Sequence, residues 1–270
     1  IEIGECGRLG MKIVPPNVNR SFGEFGVIPE SGDIIFSLAA IKGVGVNVAQ
    51  AIQEERSNNG PYASLTNFIE RIPRFAVNKK TIECLAKSGA FDEFTERKQV
   101  LSSVEAILRF ASLLHRETTS SQSGLFGMQM NSGVLKLTPI EPATRMERLS
   151  WERELLGLYL SDHPLNGLAA KLTKSVTPIK KITSAMNGKR IRIGGVISVC
   201  QRIISRNGRP ILFSQVEDTS SRIEVVVFSD VLEKNPVVWQ QDNVVLIEGR
   251  LSNRNGDLKI ICERAEPIVV

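Results

Sequence analysis

Two hydrophobic periodicities divide this chain. Up to about residue 160, apolar residues recur every three to four positions, the spacing of helices that bury one face. From Arg190 onward they alternate with polar residues, the spacing of half-buried strands. The first regime predicts a helix over Asn47 to Arg56, with Val48, Ala49 and Ile52 inward and Asn58-Asn59-Gly60-Pro61 as its stop. Ser64 is placed to cap a helix through Arg71, and Asn78 one through Lys87, with Gly89 just past its end. Arg97 to Glu117 reads as the longest helix, with Val100, Leu101, Val104, Ile107, Leu108, Ala111 and Leu114 on one face. Glu147 to Leu160 reads as another, with Glu152, Arg153 and Glu154 on its wetter side and Ser161-Asp162-His163-Pro164 ending it. Ile1 to Ile28, interrupted by Pro15-Pro16 and glycines, reads as loop and short pieces, and Ile34 to Leu38 as a short strand. Asn166 to Gly188 is a connector with a short helix.

The second regime predicts strands over Arg190 to Cys200, Pro210 to Val216, Arg222 to Phe228, Asn243 to Leu251 and Leu258 to Glu263. Hairpin turns fall at Arg206-Asn207-Gly208 and Asn255-Gly256-Asp257. A short helix over Val231 to Asn235, with Trp239 just after it, separates the third strand from the fourth. That order is the order of an OB-fold barrel. The expected fold class is therefore α+β and multidomain, an all-α region followed by an all-β barrel.

Within the helical part, Ile41 to Ala49 reads Ile-Lys-Gly-Val-Gly-Val-Asn-Val-Ala. Two glycines one residue apart permit a tight hairpin whose N–H groups face outward, and a helix begins at once. Bare N–H groups and the positive dipole end at a helix start form an anion site. The alternative is an ordinary glycine turn. The whole pattern resembles the helix-hairpin-helix motif, which grips the DNA backbone without reading sequence. Lys42, Gly43, Val44 and Gly45 are its candidate phosphate contacts. Leu85 to Phe91 resembles a second, worn copy with one glycine, where a plain helix end fits equally well. Lys79, Lys80 and Lys87 near it are further candidate phosphate contacts, or they simply face water.

Charge sharpens the picture of the barrel. The 270 residues carry +5 overall, but residues 171–270 hold 16 Lys+Arg against 10 Asp+Glu, while residues 1–170 come to −1. A basic excess suits a nucleic-acid partner and equally a soluble basic domain. Arg192, Arg202, Arg206, Arg209, Arg250, Arg254 and Lys259 supply the charge for single-strand binding, and Phe213, Phe228 and Trp239 the few stacking candidates. A barrel with a purely structural role is the alternative. The four cysteines, Cys6, Cys84, Cys200 and Cys262, are scattered and form no metal or disulfide pattern; they read as reduced thiols. His115 and His163 have no nucleophile or ligand partner in sequence. No apolar run of membrane-spanning length occurs.

Thr118 to Pro142 is polar, yet it holds Gln122-Ser123-Gly124-Leu125-Phe126. A loop that keeps two large hydrophobes implies a pocket elsewhere for them. The pentapeptide has the spacing of bacterial sliding-clamp ligands; the alternative is that Leu125 and Phe126 fold back on their own helix.

Taken together, the helix-hairpin-helix, the clamp-like pentapeptide, Glu154-Leu155-Leu156-Gly157-Leu158-Tyr159-Leu160-x-x-His163-Pro164 and the OB-fold order resemble the C-terminal part of the bacterial DNA polymerase III alpha-subunit family. The resemblance covers nearly all of the chain. It implies the end of a fingers domain over 1–28, a tandem helix-hairpin-helix domain over 29–95 and a long helix over 96–118. It further implies a clamp-binding loop over 119–146, a helix and connector over 147–188, and an OB-fold over 189–270. It implies a DNA-directed DNA polymerase whose magnesium-binding palm aspartates are not in these residues. The expectation is a truncated piece without polymerase activity of its own and without a cofactor. Implied partners are duplex and single-stranded DNA, the sliding clamp (beta subunit) and other subunits of the polymerase III holoenzyme, in the bacterial cytoplasm and without a membrane. A free-standing repair adaptor that binds clamp and DNA, and an error-prone branch of the same family, are the alternatives.

Overall fold

The computed structural model describes residues 10–120, 135–166, 176–205 and 207–268, leaving aside the side chains of 115–120 and 255. The chain forms two compact units, residues 1–161 and 162–270. Each has its own hydrophobic core.

The first unit opens with a small sheet of β1 (Ile13–Val14), β2 (Gly26–Val27) and β3 (Ile34–Ile35), in the order β1-β3-β2. Helices follow: α1 (Val46–Asn59), α2 (Leu65–Arg71), α3 (Lys79–Ser88), α4 (Arg97–Ser102), α5 (Val104–Ser120) and α6 (Arg145–Leu156). The expected caps form. Ser64 accepts a hydrogen bond from the Asn67 N–H and Asn78 one from the Thr81 N–H, while Gly89 ends α3 at φ +87°. Phe68 packs edge-on between Tyr62 and Phe91, at ring separations of 4.9 and 5.0 Å. The Tyr62 hydroxyl donates to the Ile52 carbonyl at 2.9 Å, and burial pushes its pKa up to about 12.

Three expectations for this unit change. The long helix predicted over Arg97 to Glu117 is broken at Ser103, which lies at φ −106°, ψ 7°. The Ser103 hydroxyl instead accepts the Thr138 N–H at 2.8 Å, so the break docks the chain returning from residue 135. Glu96 caps α4 and also accepts the Ala143 N–H and an Arg148 ion pair. Burial works against its charge, but those donors outweigh it and hold the carboxyl below its ordinary range.

The second change concerns α6, which starts at Arg145 behind a Thr144–Glu147 capping box and stops at Gly157, in the left-handed conformation at φ +77°. The apolar spacing predicts a helix on to Leu160. The chain turns away because Leu160 and Ser161 donate their N–H groups to Glu152 Oε2, both at 2.9 Å.

The third change is Glu152 itself. It has no wet side; it is fully buried, and its Oε1 accepts from Arg97 Nη1 at 3.1 Å. Arg97 is 3% exposed and also forks onto Asp92, at 2.8–3.1 Å, and reaches the Lys87 carbonyl at 3.1 Å. Every charge in this cluster is met by donors or acceptors, as burial requires.

The second unit is a closed barrel. Its strands are β4 (Arg190–Ile204), β5 (Pro210–Glu217), β6 (Arg222–Phe228), β7 (Val244–Ser252) and β8 (Lys259–Pro267), ordered β4-β5-β6-β8-β7 and closing on β4. The short helix α7 (Ser229–Lys234) lies between β6 and β7. Within the barrel the β6–β8 pair is parallel and the other four pairs are antiparallel. β4 serves both sides of the barrel: residues 190–196 pair with β7 and residues 196–204 with β5. The crossing is close at Gly195, where a Cβ would stand 2.4 Å from Val216 Cγ1. β4 and β8 each run four residues beyond their predicted ends. β4 continues because Gln201 to Ile204 keep pairing with Phe213 to Pro210 of β5, beyond the residues of β4 that pair with β7.

Candidate nucleic-acid interface

The Ile41–Ala49 stretch folds as its glycines require. Gly43 sits at φ +92°, which favours glycine, and a Cβ there would lie 2.7 Å from Cys84 Sγ and 3.1 Å from Lys80 Cε. The hairpin therefore rests directly on α3. Gly45 is the N-cap of α1 at φ −75°, ψ 152°, with open space where its Cβ would be. No side chain caps α1 and its first turn holds no acidic residue. Among the described residues, the backbone N–H groups of Gly45, Val46 and Asn47 have no protein acceptor, and all three residues are exposed. Their unpaired donors and the helix dipole point into solvent together.

Basic side chains gather here only in part. Lys42 is exposed beside the hairpin, and Lys80 lies against Gly43. Lys87, one turn beyond Cys84 on α3, is less exposed, and its Nζ stands 3.9 Å from Glu154 Oε2. Lys79 leans instead toward Glu105, at 3.8 Å. Cys84 is buried between these lysines; burial raises its thiol pKa, and Lys80 and Lys87 oppose that rise. The candidate Val44 is a core residue whose backbone closes the turn by donating to Ile41.

The second, worn hairpin is closed. Gly89, Ala90 and Phe91 are buried, and the Ala90 carbonyl accepts the Val18 N–H. A Cβ on Gly89 would stand 2.4 Å from Arg97 Nη2. An arginine of the protein itself thus packs against this turn, so no site for a phosphate is left there.

The barrel's arginines fall into two groups along β4. Near its start, Arg192 pairs with Glu248 at 3.1 Å, and Arg190 and Arg250 share Glu263, at 2.6 and 3.8 Å. Lys259 pairs with Glu224 at 2.8 Å. Arg254 is exposed in the β7–β8 connection. Ten residues along β4 from Arg192, Arg202 is exposed near the strand's far end, and Arg209 on the adjoining turn makes a 3.9 Å approach to Asp230, both largely exposed. Ile203, Ile211 and Phe228 form one cross-strand row there, with Phe228 45% exposed. Trp239, expected as a stacking candidate, is buried in the barrel core and cannot stack on a base. Arg206 and the whole pentapeptide Gln122 to Phe126 lie outside the described residues.

The hairpin is supported by a contact distant in sequence. The Lys42 N–H donates to the Leu155 carbonyl at 2.9 Å. That carbonyl is one of the four a helix leaves unpaired at its C-terminal end. A backbone acceptor carries no sequence signal. Glu152 did carry one: Leu149, Glu152, Leu155 and Leu156 share one helical face. Among the described residues, no cluster of His, Cys, Asp or Glu could hold a metal ion, and no helix is long and apolar enough to cross a membrane.

Comparison with known proteins follows the same division. Residues 10–101 match the helix-hairpin-helix motif family, and residues 191–268 match the OB-fold nucleic acid binding domain family. DNA polymerase III subunit alpha of Saccharopolyspora erythraea is 34% identical over 99% of this chain, covering 23% of its own length. The Thermus aquaticus subunit is 31% identical over 97% of the chain and 21% of its own length. That of Escherichia coli K12 is 29% identical over 96% of the chain and 23% of its own length. The chain thus spans between a fifth and a quarter of the curated relatives it matches. Among solved structures, asparaginyl-tRNA synthetase from Pyrococcus horikoshii aligns with 34% of the chain and 23% of its own, at 20% identity and a TM-score of 0.30.

Proposed function

This chain is homologous to one region of the DNA polymerase III alpha subunits, and from that premise we propose that it holds duplex DNA by its phosphates and tethers a polymerase to its sliding clamp. The observation that carries the first half is the α1 start, where unpaired N–H donors and an uncapped helix dipole stand exposed, with Lys42 in the same turn and Lys80 against Gly43. Backbone phosphates suit such a site, and contacts of this kind position a duplex without reading its sequence.

For the barrel, we place single-stranded template on the end of the β4–β5 hairpin, beside Phe228. Arg202 and Arg209 there have charge to spare and Phe228 is exposed, whereas Arg192, Arg250 and Lys259 are occupied by glutamates. The clamp tether rests on Gln122, Leu125 and Phe126 in sequence alone. The magnesium-dependent transfer step belongs, in this reading, to polypeptide that the longer relatives carry elsewhere. A weak phosphate grip and a clamp tether on one chain raise each other's effective concentration, which is how modest contacts sustain processive synthesis.

Gly45→Asp separates binding from folding. The site is open and the backbone ordinary, so an Asp N-cap should leave thermal stability unchanged or higher, by up to about 1 kcal/mol. Its carboxylate would take the donors and repel a phosphate, and duplex affinity by fluorescence anisotropy should fall about ten-fold or more. Unchanged affinity with improved stability would remove the hairpin from the interface. For the tether, Leu125→Ala/Phe126→Ala should abolish binding to the sliding clamp in surface plasmon resonance, because paired apolar anchors dominate interfaces of this kind. Equal binding by the wild type and the double variant would place the clamp contact elsewhere.

A further inference from the structure

The hairpin does not stand alone. It lies between α3 and α6, and each holds it by a different contact. Gly43 packs on Lys80 and Cys84 of α3, and the Lys42 N–H donates to the last-turn carbonyl of Leu155 in α6. The two helices are joined by one buried group: Arg97 Nη1 reaches the Lys87 carbonyl at the end of α3 and Glu152 Oε1 of α6, both at 3.1 Å. Glu152 lies one turn before Leu155, so its anchoring fixes the height of the carbonyl that receives Lys42. Its second oxygen pins Leu160 and Ser161, which stops α6 at Gly157 and leaves the Leu155 carbonyl free for the hairpin. Lys87 and Glu154 add a looser link between the same helices.

We propose that Glu152 and Arg97 are a positioning pair for the phosphate grip, setting the hairpin's unpaired donors by locking α3 against α6. The proposal rests on the reading of the hairpin as a phosphate site. Donors already fixed in place bind without first losing conformational freedom; donors on a loosened turn must be ordered by the ligand. The pair therefore acts on DNA affinity through Leu155 and Lys42, without touching DNA.

The test compares the whole chain as wild type, Glu152→Gln, and Ile107→Ala, a core truncation in α5 that makes none of these contacts. Duplex affinity is measured by anisotropy at a temperature where circular dichroism shows all three folded, and hydrogen exchange is followed at the Lys42 amide. Glu152→Gln should weaken binding about ten-fold and speed Lys42 exchange, while Ile107→Ala stays within about two-fold of wild type. Affinity for Glu152→Gln within about two-fold of wild type, or an equal loss in both variants, overturns the proposal. Should Glu152→Gln not fold, Asp92→Asn takes its place, since it loosens Arg97 from a partly exposed partner. It should weaken binding about three-fold, and wild-type affinity would again overturn the pair's role. Gly45→Asp run alongside distinguishes the two failures: if it too binds as wild type, the phosphate reading has fallen and the pair with it.

Discussion

Glu152→Ala should lower the stability of the helical unit by about 3–5 kcal/mol, an effect out of scale for a glutamate on a solvated helix face. The loss has three parts. Arg97, 3% exposed, keeps a buried charge with only Asp92 to balance it. The N–H groups of Leu160 and Ser161 lose their acceptor. A cavity opens beside Leu149 and Leu155. Charge alone is not the source of stability, so Arg97→Met/Glu152→Leu should cost much less than either single truncation. The measurement is urea unfolding of the whole chain. The two tryptophans report separately, Trp151 from α6 and Trp239 from the barrel core, so Trp→Phe variants assign each transition. A shift below about 1 kcal/mol in the Trp151 transition would contradict the buried network.

Gly249→Ala should destabilise the barrel by about 3 kcal/mol and leave the helical transition where it was. Here backbone meets backbone. A Cβ on Gly249 would stand 2.3 Å from the Ile261 carbonyl oxygen and 2.6 Å from Ile260 Cγ2. The pairing of β7 with β8 shifts register between Glu248 and Gly249, and that irregularity draws β8 onto the glycine. A carbonyl held in a closed barrel cannot swing aside as a flexible side chain would. Gly45→Ala, where nothing lies within 4 Å of the added carbon, is the control and should cost no more than about 1 kcal/mol, the preference of an N-cap for glycine over alanine. Equal effects from the two substitutions would show that crowding at the register shift is not what the glycine relieves.

Much of this architecture is written locally. Ser64, Asn78 and Gly89 mark helix ends because caps act within one turn of chain, and the alternation after Arg190 marks strands because one face of each is buried. The family resemblance, on which hairpin, helix and barrel order all bear, agrees with relatives that align along nearly the whole chain. What eluded the pattern is non-local. Ser103 breaks a continuous apolar stripe because residue 138 returns to it, and no feature near Ser103 announces that. Glu152 counted as polar, and only a partner 55 residues away turns its position on the apolar face from an error into a joint. At the candidate site, Gly43 and Gly45 were legible but do different work. Gly43 is required by φ and by α3, while Gly45 leaves a helix start uncovered. The barrel arginines could be counted in sequence but not sorted, because their glutamate partners sit on neighbouring strands.

The most direct test of the phosphate grip is duplex affinity as a function of salt, for wild type beside Lys42→Ala/Lys80→Ala. Each phosphate neutralised releases counterions, and log K falls with log salt by about 0.9 per contact. A phosphate grip gives a wild-type slope of about −2 or steeper, flattened by about one to two in the double variant, with no preference among duplex sequences. A slope near zero, or one that the loss of both lysines leaves unchanged, would contradict it.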